Sequence, residues 1–454
     1  MDRVFNMTTG NPTRLIFSFS LPLMFGGMFQ QIYMIVDSII VGRGVGIEAL
    51  AALGAADWIN WMVLWSIQGF TQGLSVLIAL EFGAGHTASL RKAFAMIVKS
   101  CVIFSVTLTI LSLLAAHPLL LLLRTDPSII SGSRTYLYVQ FAGTGAIVAY
   151  NMAAAILRCL GDSRTPLTAI IIGAVSNIAL DVLFVLFFHW GIFGAAFATV
   201  IAQVFSFLIC AYAISKLEIL QLHHKDWITD KAVLKHLGKL GIPVALQNGI
   251  IAVGGLVLQY VLNGYGILFV AGFTATNKLY GILESTAIAF GYAMTAYMGQ
   301  NMGAKKAERI DHGMRSVLVL SASFSVAIST AMILFGRNIL RLFVSQTETN
   351  AEGVLDIAYH YLTIMSIFLL VLFLVHAYRS SLQGLGNTII PMLSGVAELF
   401  GRIGAALLLP RLIGENGIFF AEITAWSGAA LLMIIYYYWK IGDIKHAIQR
   451  SSDL

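Results

Sequence analysis

Four polar side chains sit where the chain otherwise looks built for lipid. They are Asp37 in "QQIYMIVDSIIVGRG", Asn177 and Asp181 in "AVSNIALDVLFVL", and Thr199 in "WGIFGAAFATVIAQ". An Asp near the centre of a bilayer costs roughly 2.5–3.5 kcal/mol on insertion scales, so an intramembrane acid is read as functional by default. Asn177 and Asp181 are four residues apart and stack on one face of a helix. Two carboxylates, an amide and a hydroxyl make an all-oxygen set that suits a hard cation such as Na+. The same set suits a proton, held by two acids that titrate as a coupled unit. The plainer alternative is that each residue bonds a neighbouring backbone group and does nothing else, which is the ordinary fate of a lone threonine such as Thr199.

Whether the four can meet depends on the elements that carry them. The 454 residues are 58% hydrophobic and 11% charged, with mean hydropathy +0.84. Soluble domains carry about 25% charged residues, so the solvent here must be lipid. Runs near or above ~20 apolar residues fall at 14–42, 49–80, 92–116, 132–157, 166–188, 191–215, 237–262, 269–300, 314–335, 355–382, 388–409 and 414–439. The runs are continuous rather than alternating, which favours helices over a β-barrel. The expected fold class is an all-α membrane protein with twelve transmembrane helices. "MDRVFNMTTGNPTRLIFSFSLPL" carries Arg3 and Arg14 before the first run, and no small-residue cleavage site follows at the usual distance, so this run reads as a membrane helix rather than a removed signal.

Charge placement sets the orientation. With the N-terminus in the cytoplasm, 20 of the 28 Lys and Arg lie inside, 6 lie outside, and Lys278 and Arg402 lie within spans. This is the positive-inside bias, and it turns the formal charge of +6 into a statement about topology rather than nucleic-acid binding. Both termini are expected in the cytoplasm, in a multi-pass inner (plasma) membrane protein. In that frame Asp181 lies ~12 Å, Asp37 ~9 Å and Thr199 ~12 Å below the outer ends of spans 5, 1 and 6 at 1.5 Å per residue. Three helices therefore bring polar groups to one level.

The halves resemble each other. "RCLGDSRTP" (158–166) is echoed by "QGLGNTIIP" (383–391), "FGAGHTASLRKA" (82–93) by "MGAKKAERIDHG" (302–313), and "SLPLMFGG" (20–27) by "GIPVALQNG" (241–249). Nearly constant offsets argue for a duplicated six-helix bundle. Six spans is an even number, so the copies are parallel, and transporters built this way bind substrate between halves that rock against each other. The expected organisation is a first lobe over 1–216, a cytoplasmic linker over 217–234 and a second lobe over 235–454, two pseudo-symmetric bundles that need no partner subunit.

Other polar residues are less decisive. Pro22 removes a backbone hydrogen bond in the inner half of span 1, with Gly26 and Gly27 close behind, so it is a candidate hinge. The second half lacks the acid pair. Glu398 and Arg402 are spaced i,i+4 and read as a mutually neutralising pair. Glu284 has no obvious local partner and is a candidate to attract a cationic substrate. Met28, Tyr33, Tyr136 and Tyr150 are further candidates for lining a cavity. The three cysteines show no metal spacing and no disulfide framework. No Walker A motif is present, "GRGVG" at 42–46 ends a membrane helix rather than opening one after a strand, and no acid motif or activated nucleophile marks an enzyme.

Taken together, "SLPLMFGGMFQQIYMIVDSIIVG", "SNIALD", the "LGDSRTP"/"LGNTIIP" pair and the "EFGAG"/"MGAKK" pair resemble the multidrug and toxic compound extrusion (MATE) transporters over essentially the whole chain. The resemblance implies an antiporter, coupled to H+ or Na+, that exports mostly cationic amphipathic compounds by alternating access, without a cofactor. It implies coupling at Asp37, Asn177, Asp181 and Thr199, cavity contacts at Gln30 and Tyr33, and bending of the first helix near Pro22. Another branch of that family places acids on spans 7 and 10. This chain has Gln247 and Asn248 on span 7 and His376 on span 10 instead. The competing expectation is a lipid-linked oligosaccharide flippase of related fold, which calls for several basic residues in the cavity.

Overall fold

A computed structural model describes residues 5–342 and 350–452; Arg3, counted above among the cytoplasmic cations, lies outside the described residues. In chain order the α-helices are α1 (Pro12–Gly44), α2 (Ile47–Ala84), α3 (Thr87–Leu122), α4 (Ile130–Ala142), α5 (Thr144–Cys159), α6 (Arg164–Asp181), α7 (Gly191–Ser215), α8 (Lys231–Leu262), α9 (Ile267–Gly303), α10 (Ala307–Leu340), α11 (Ala351–Ile367), α12 (Leu369–Gly384), α13 (Ile389–Ile413) and α14 (Phe420–Ser452). Among the described residues nine helical segments are long and apolar enough to cross a membrane, and the pairs α4–α5 and α11–α12, each bent by 50°, supply two more. The 37-residue α9 is ample in length and completes the twelve. The exposed Trp190 and Phe188 at one end and Trp439 and Tyr438 toward the other are the aromatic girdles expected at two membrane interfaces.

Local chemistry sets the helix ends. Asn11 accepts the backbone N–H of Arg14 at 3.2 Å, with Pro12 at the first helical position. Asp230 caps α8 by accepting from Ala232 and Val233. The duplication shows in the backbone itself. Gly161 and its repeat Gly386 turn with φ +90° and +85°, a conformation that costs glycine nothing. The breaks at Gly143 and Phe368 lie at the same 225-residue offset. A Cβ on Gly143 would lie 2.4 Å from Val200, so the corner between α4 and α5 is seated on α7. Nothing comparable marks Phe368, and neither break follows a proline.

The halves meet through small residues, as membrane helices do when backbones approach closely. Along α2 and α8, a Cβ on Gly69 or Gly73 would lie 2.5 Å from the carbonyl oxygens of Val244 and Leu240, and Gly255 sits against Trp58. Gly27 and Gly281 admit Ser285 and Gln31 between α1 and α9. At the end of the molecule that holds the start of α1 and the end of α14, the seam is tightest: a Cβ on Gly83 would lie 2.0 Å from the Gln300 carbonyl, and one on Gly303 1.9 Å from that of Leu80. We call this the terminal end. The segment between the halves is pinned to α3. Lys92 pairs with Asp230 at 2.5 Å, Arg91 with Asp226 at 3.5 Å, and Lys99 donates to the Trp227 carbonyl and to Thr229.

Candidate cation site and adjoining cavity

The site is assembled from α1, α6 and α7. Asn177 and Asp181 point inward from α6 and are buried, at 2% and 0% exposure. Asp37 comes from α1, and its carboxyl group is within hydrogen-bonding reach of that of Asp181. Two carboxylates are both acceptors, so this contact is attractive only with a proton or a cation between them. Asn177 donates to Thr199 Oγ1 at 3.4 Å, and Thr199 donates to the Ala195 carbonyl at 3.1 Å. The Thr199 oxygen keeps acceptor capacity toward the site.

The decisive feature is what these oxygens lack. Apart from a proton held between the two acids, no donor among the described residues reaches Asp37 Oδ1, Asn177 Oδ1 or either carboxyl oxygen of Asp181. A buried acceptor without a partner costs about 1–3 kcal/mol, and more when charged. Four in one place are a set that a proton or a hard cation would satisfy. An apolar cluster of Val41, Ala49, Leu53, Val185 and Ala195 packs a turn beyond the acids. Val185 belongs to a π-helical stretch, Val182–Phe187, that starts directly after Asp181. Gly44 at the end of α1 admits Leu186 of that stretch; a Cβ there would lie 2.5 Å away. The acid on α6 is thus backed by a turn of altered register that the end of α1 rests on.

Beside the site lies an open-sided cavity lined by residues that include Gln30, Tyr33, Tyr150, Asn177, Thr199 and Gln203. Of the expected lining residues, Gln30, Tyr33 and Tyr150 are here. Tyr136 lies close to Asp37 and Asp57 rather than in the lining. Met28 is exposed on α1. Gln203 was missed. It is one turn from Thr199 on α7, and its Oε1 is a further buried acceptor without a donor; the i,i+4 spacing was the available signal. The first helix runs unbroken through Pro22.

The second half adds to one reading and corrects another. Glu284 has no partner on its own helix, but His376 Nε2 of α12 lies 3.8 Å from its Oε1, an ion pair when that imidazole is protonated. Glu398 and Arg402 do not neutralise each other. Glu398 pairs with Arg379 of α12, which also donates to Ser394, while Arg402 pairs with Glu422 of α14 at 2.7 Å and donates to the Ile251 carbonyl. Sequence spacing sees only partners on the same helix; these came from others. Lys278 is exposed on α9.

Comparison with known proteins agrees with this architecture. The MatE family pattern matches residues 22–183 and again 243–404, two equal stretches offset by 221 residues. The chain is 30% identical over 357 residues to the probable multidrug resistance protein YpnP of Bacillus subtilis, covering 77% of this chain and 79% of that one. It is 25% identical over 382 residues to the probable multidrug resistance protein NorM of Thermotoga maritima, covering 82% and 80%. A crystal structure of MATE in complex with MaL6 superposes with a TM-score of 0.90 at 23% identity, covering 98% of this chain and 100% of that one, which shows the shared fold.

Proposed function

Because the chain belongs to the MatE family, and is a multi-pass membrane transporter rather than an enzyme, we propose that it is an antiporter driven by inward H+ or Na+. Its cargo is small, mostly cationic amphipathic compounds, in line with the multidrug resistance names of its relatives. The observation that carries this reading is the group of donor-less oxygens on Asp37, Asn177 and Asp181. Uptake of one positive charge there relieves the repulsion between the two acids and satisfies acceptors that nothing else among the described residues satisfies. α1 carries Asp37 and leans on the π-helical stretch behind Asp181, so a change at the acids is felt along α1. Pro22 is the point where that helix gives most easily. Substrate enters the cavity at Gln30, Tyr33, Tyr150 and Gln203, beside the same oxygens. Ion and cargo then compete for one electrostatic environment, which is what exchange requires.

In this reading the terminal end is cytoplasmic, as the distribution of Lys and Arg favours, so the closed seam lies inside and the cation site toward the outside of a plasma membrane. The chain acts as a monomer, with its two lobes on either side of the linker near 217–234. The cavity lining contains no Lys or Arg, so it offers nothing to a pyrophosphate-linked oligosaccharide, and the flippase reading gains no support. The test is export by purified protein in sealed vesicles, with pH and Na+ gradients imposed separately. Asp37→Asn and Asp181→Asn should each abolish gradient-driven export while the protein stays folded. Normal driven export by both would sink the proposal.

A further inference from the structure

The segment before α1 is held in a way that the cation site does not explain. Met7 and Thr8 are buried, at 1% and 7% exposure. The Met7 N–H donates to Gln300 Oε1 at 2.8 Å, and its carbonyl accepts from Asn301 at 3.1 Å and Arg309 at 3.0 Å. Lys306 donates to the Thr8 carbonyl at 2.8 Å and Arg309 to that of Gly10 at 2.9 Å. Two cations are thus spent on backbone carbonyls, and among the described residues neither pairs with a carboxylate. These partners sit at the end of α9 (Gln300, Asn301), in the turn after it (Lys306) and at the start of α10 (Arg309), all in the second half. On its other side the segment lies on the first half. Phe5 packs so closely over the Gly161 turn that a Cβ there would lie 2.2 Å from the Phe5 carbonyl oxygen, whereas the repeat, Gly386, faces open space. Gln300 completes the bridge by donating to the Cys159 carbonyl at 2.9 Å.

The start of α1 continues the same attachment. Thr13 donates to Ser316 of α10 at 2.9 Å, and the Phe17 ring lies 6.0 Å from that of Phe324. Beyond Pro22 the helix keeps α9 beside it at Gly27 and Gln31 but gains the first half as well: Gly26 sits against Ile170 of α6, and Asp37 meets Asp181. α1 is therefore tied to the second half at its start and carries the cation site of the first half at its end. Its one interior proline lies between the two attachments.

We propose that residues 5–10 are a latch. Seated, it fastens α1 to the second half and keeps the terminal end closed; each time that end opens, it leaves the groove between the Gly161 turn and the α9–α10 turn. The proposal rests on the antiport reading only in taking opening of this end as part of the transport cycle.

Two experiments test it, both in a chain with Cys101, Cys159 and Cys210 replaced by Ala. In Thr13→Cys/Ser316→Cys the sulfurs replace hydroxyls already in contact. Oxidation should lower export at least tenfold, and reduction should restore it. Full export from the quantitatively cross-linked protein would overturn the latch. If the reduced form exports nothing, the function assignment is what has failed, and the latch is then decided by the second experiment, which needs no transport. There, Met7→Cys in detergent should react slowly with a bulky maleimide, and adding Arg309→Met and Lys306→Met should speed the reaction about tenfold or more, since charge-assisted bonds are the strongest ones holding the segment. An unchanged rate overturns the latch.

Discussion

Replacing Gly83 with Ala should push the transporter out of the state in which its terminal end is closed. The added methyl carbon would lie 2.7 Å from the Gln300 carbonyl carbon and 2.0 Å from its oxygen, the latter about 1 Å inside any contact that real side chains make. The obstacle is backbone, so no rotamer change relieves it, and α2 and α9 must separate. Overpacking of this kind costs about 1–3 kcal/mol. The cost falls only on the closed state, because the seam does not exist once the end opens, so the balance shifts about 5–150-fold toward open. The chain already contains a reporter. Cys159 is 3% exposed, and its carbonyl accepts from Gln300 across the seam. With Cys101 and Cys210 replaced by Ala, the rate of maleimide modification of Cys159 should rise by that factor in Gly83→Ala. It should stay unchanged in Gly404→Ala, where a Cβ meets nothing within 4 Å. Equal rates in Gly83→Ala and the parent, with thermal stability also unchanged, would show that this seam does not decide which state is populated.

Other expectations follow from the same geometry. Thr199→Val removes one neutral oxygen, so it should weaken apparent cation affinity about tenfold and leave export measurable, whereas Asp181→Asn should eliminate coupling; concentration dependence of export on the driving ion separates the two. Arg402→Met leaves Glu422 without its partner in a largely buried setting and should destabilise by about 3–5 kcal/mol, with much of the loss recovered in Arg402→Met/Glu422→Gln, as read by denaturant unfolding in detergent. In the linker, the His223 N–H and then Arg91 hold the Asp226 carboxyl below its ordinary range, and Lys92 followed by the N–H groups of Val233 and Ala232 does the same for Asp230. Depressed carboxyls stabilise above their unfolded value, near pH 4, and lose that contribution as pH falls through the folded value. Limited proteolysis between α7 and α8 should therefore stay slow at neutral pH and accelerate only below about pH 4.

The sequence carried the helices, their number and their duplication because apolar length and repeated turns are local properties. The meeting of spans 1, 5 and 6 was also within reach: depth counted from helix ends needs only the rise per residue, and the side chains of Asp37, Asn177, Asp181 and Thr199 do converge. What could not be read depends on partners distant in the chain. The i,i+4 spacing of Glu398 and Arg402 was a sound local argument that Arg379 and Glu422 overrode from neighbouring helices. Glu284 seemed alone because His376 lies 92 residues away. The breaks at Gly143 and Phe368 carry no proline, and the π-helical stretch after Asp181 is an uninterrupted apolar run, so periodicity gives no warning of either. The burial of Met7 and Thr8 was hidden for the same reason: a short segment rich in Asn, Thr and Gly before a helix looks like a loose end until the groove that receives it is built.

The pinned linker has a mechanical consequence. With Asp230 both capping α8 and gripping Lys92, the base of α8 is fixed to the first half of the molecule, and any tilt of that helix is a rotation about its foot. A 32-residue helix is ~48 Å long, so each degree of tilt carries its far tip through somewhat less than 1 Å. A swing of ten degrees would sweep the tip about 8 Å while the base hardly moves. The connection between the halves is thus a fulcrum rather than a tether, and modest angular changes near one face of the membrane become gate-sized displacements at the other.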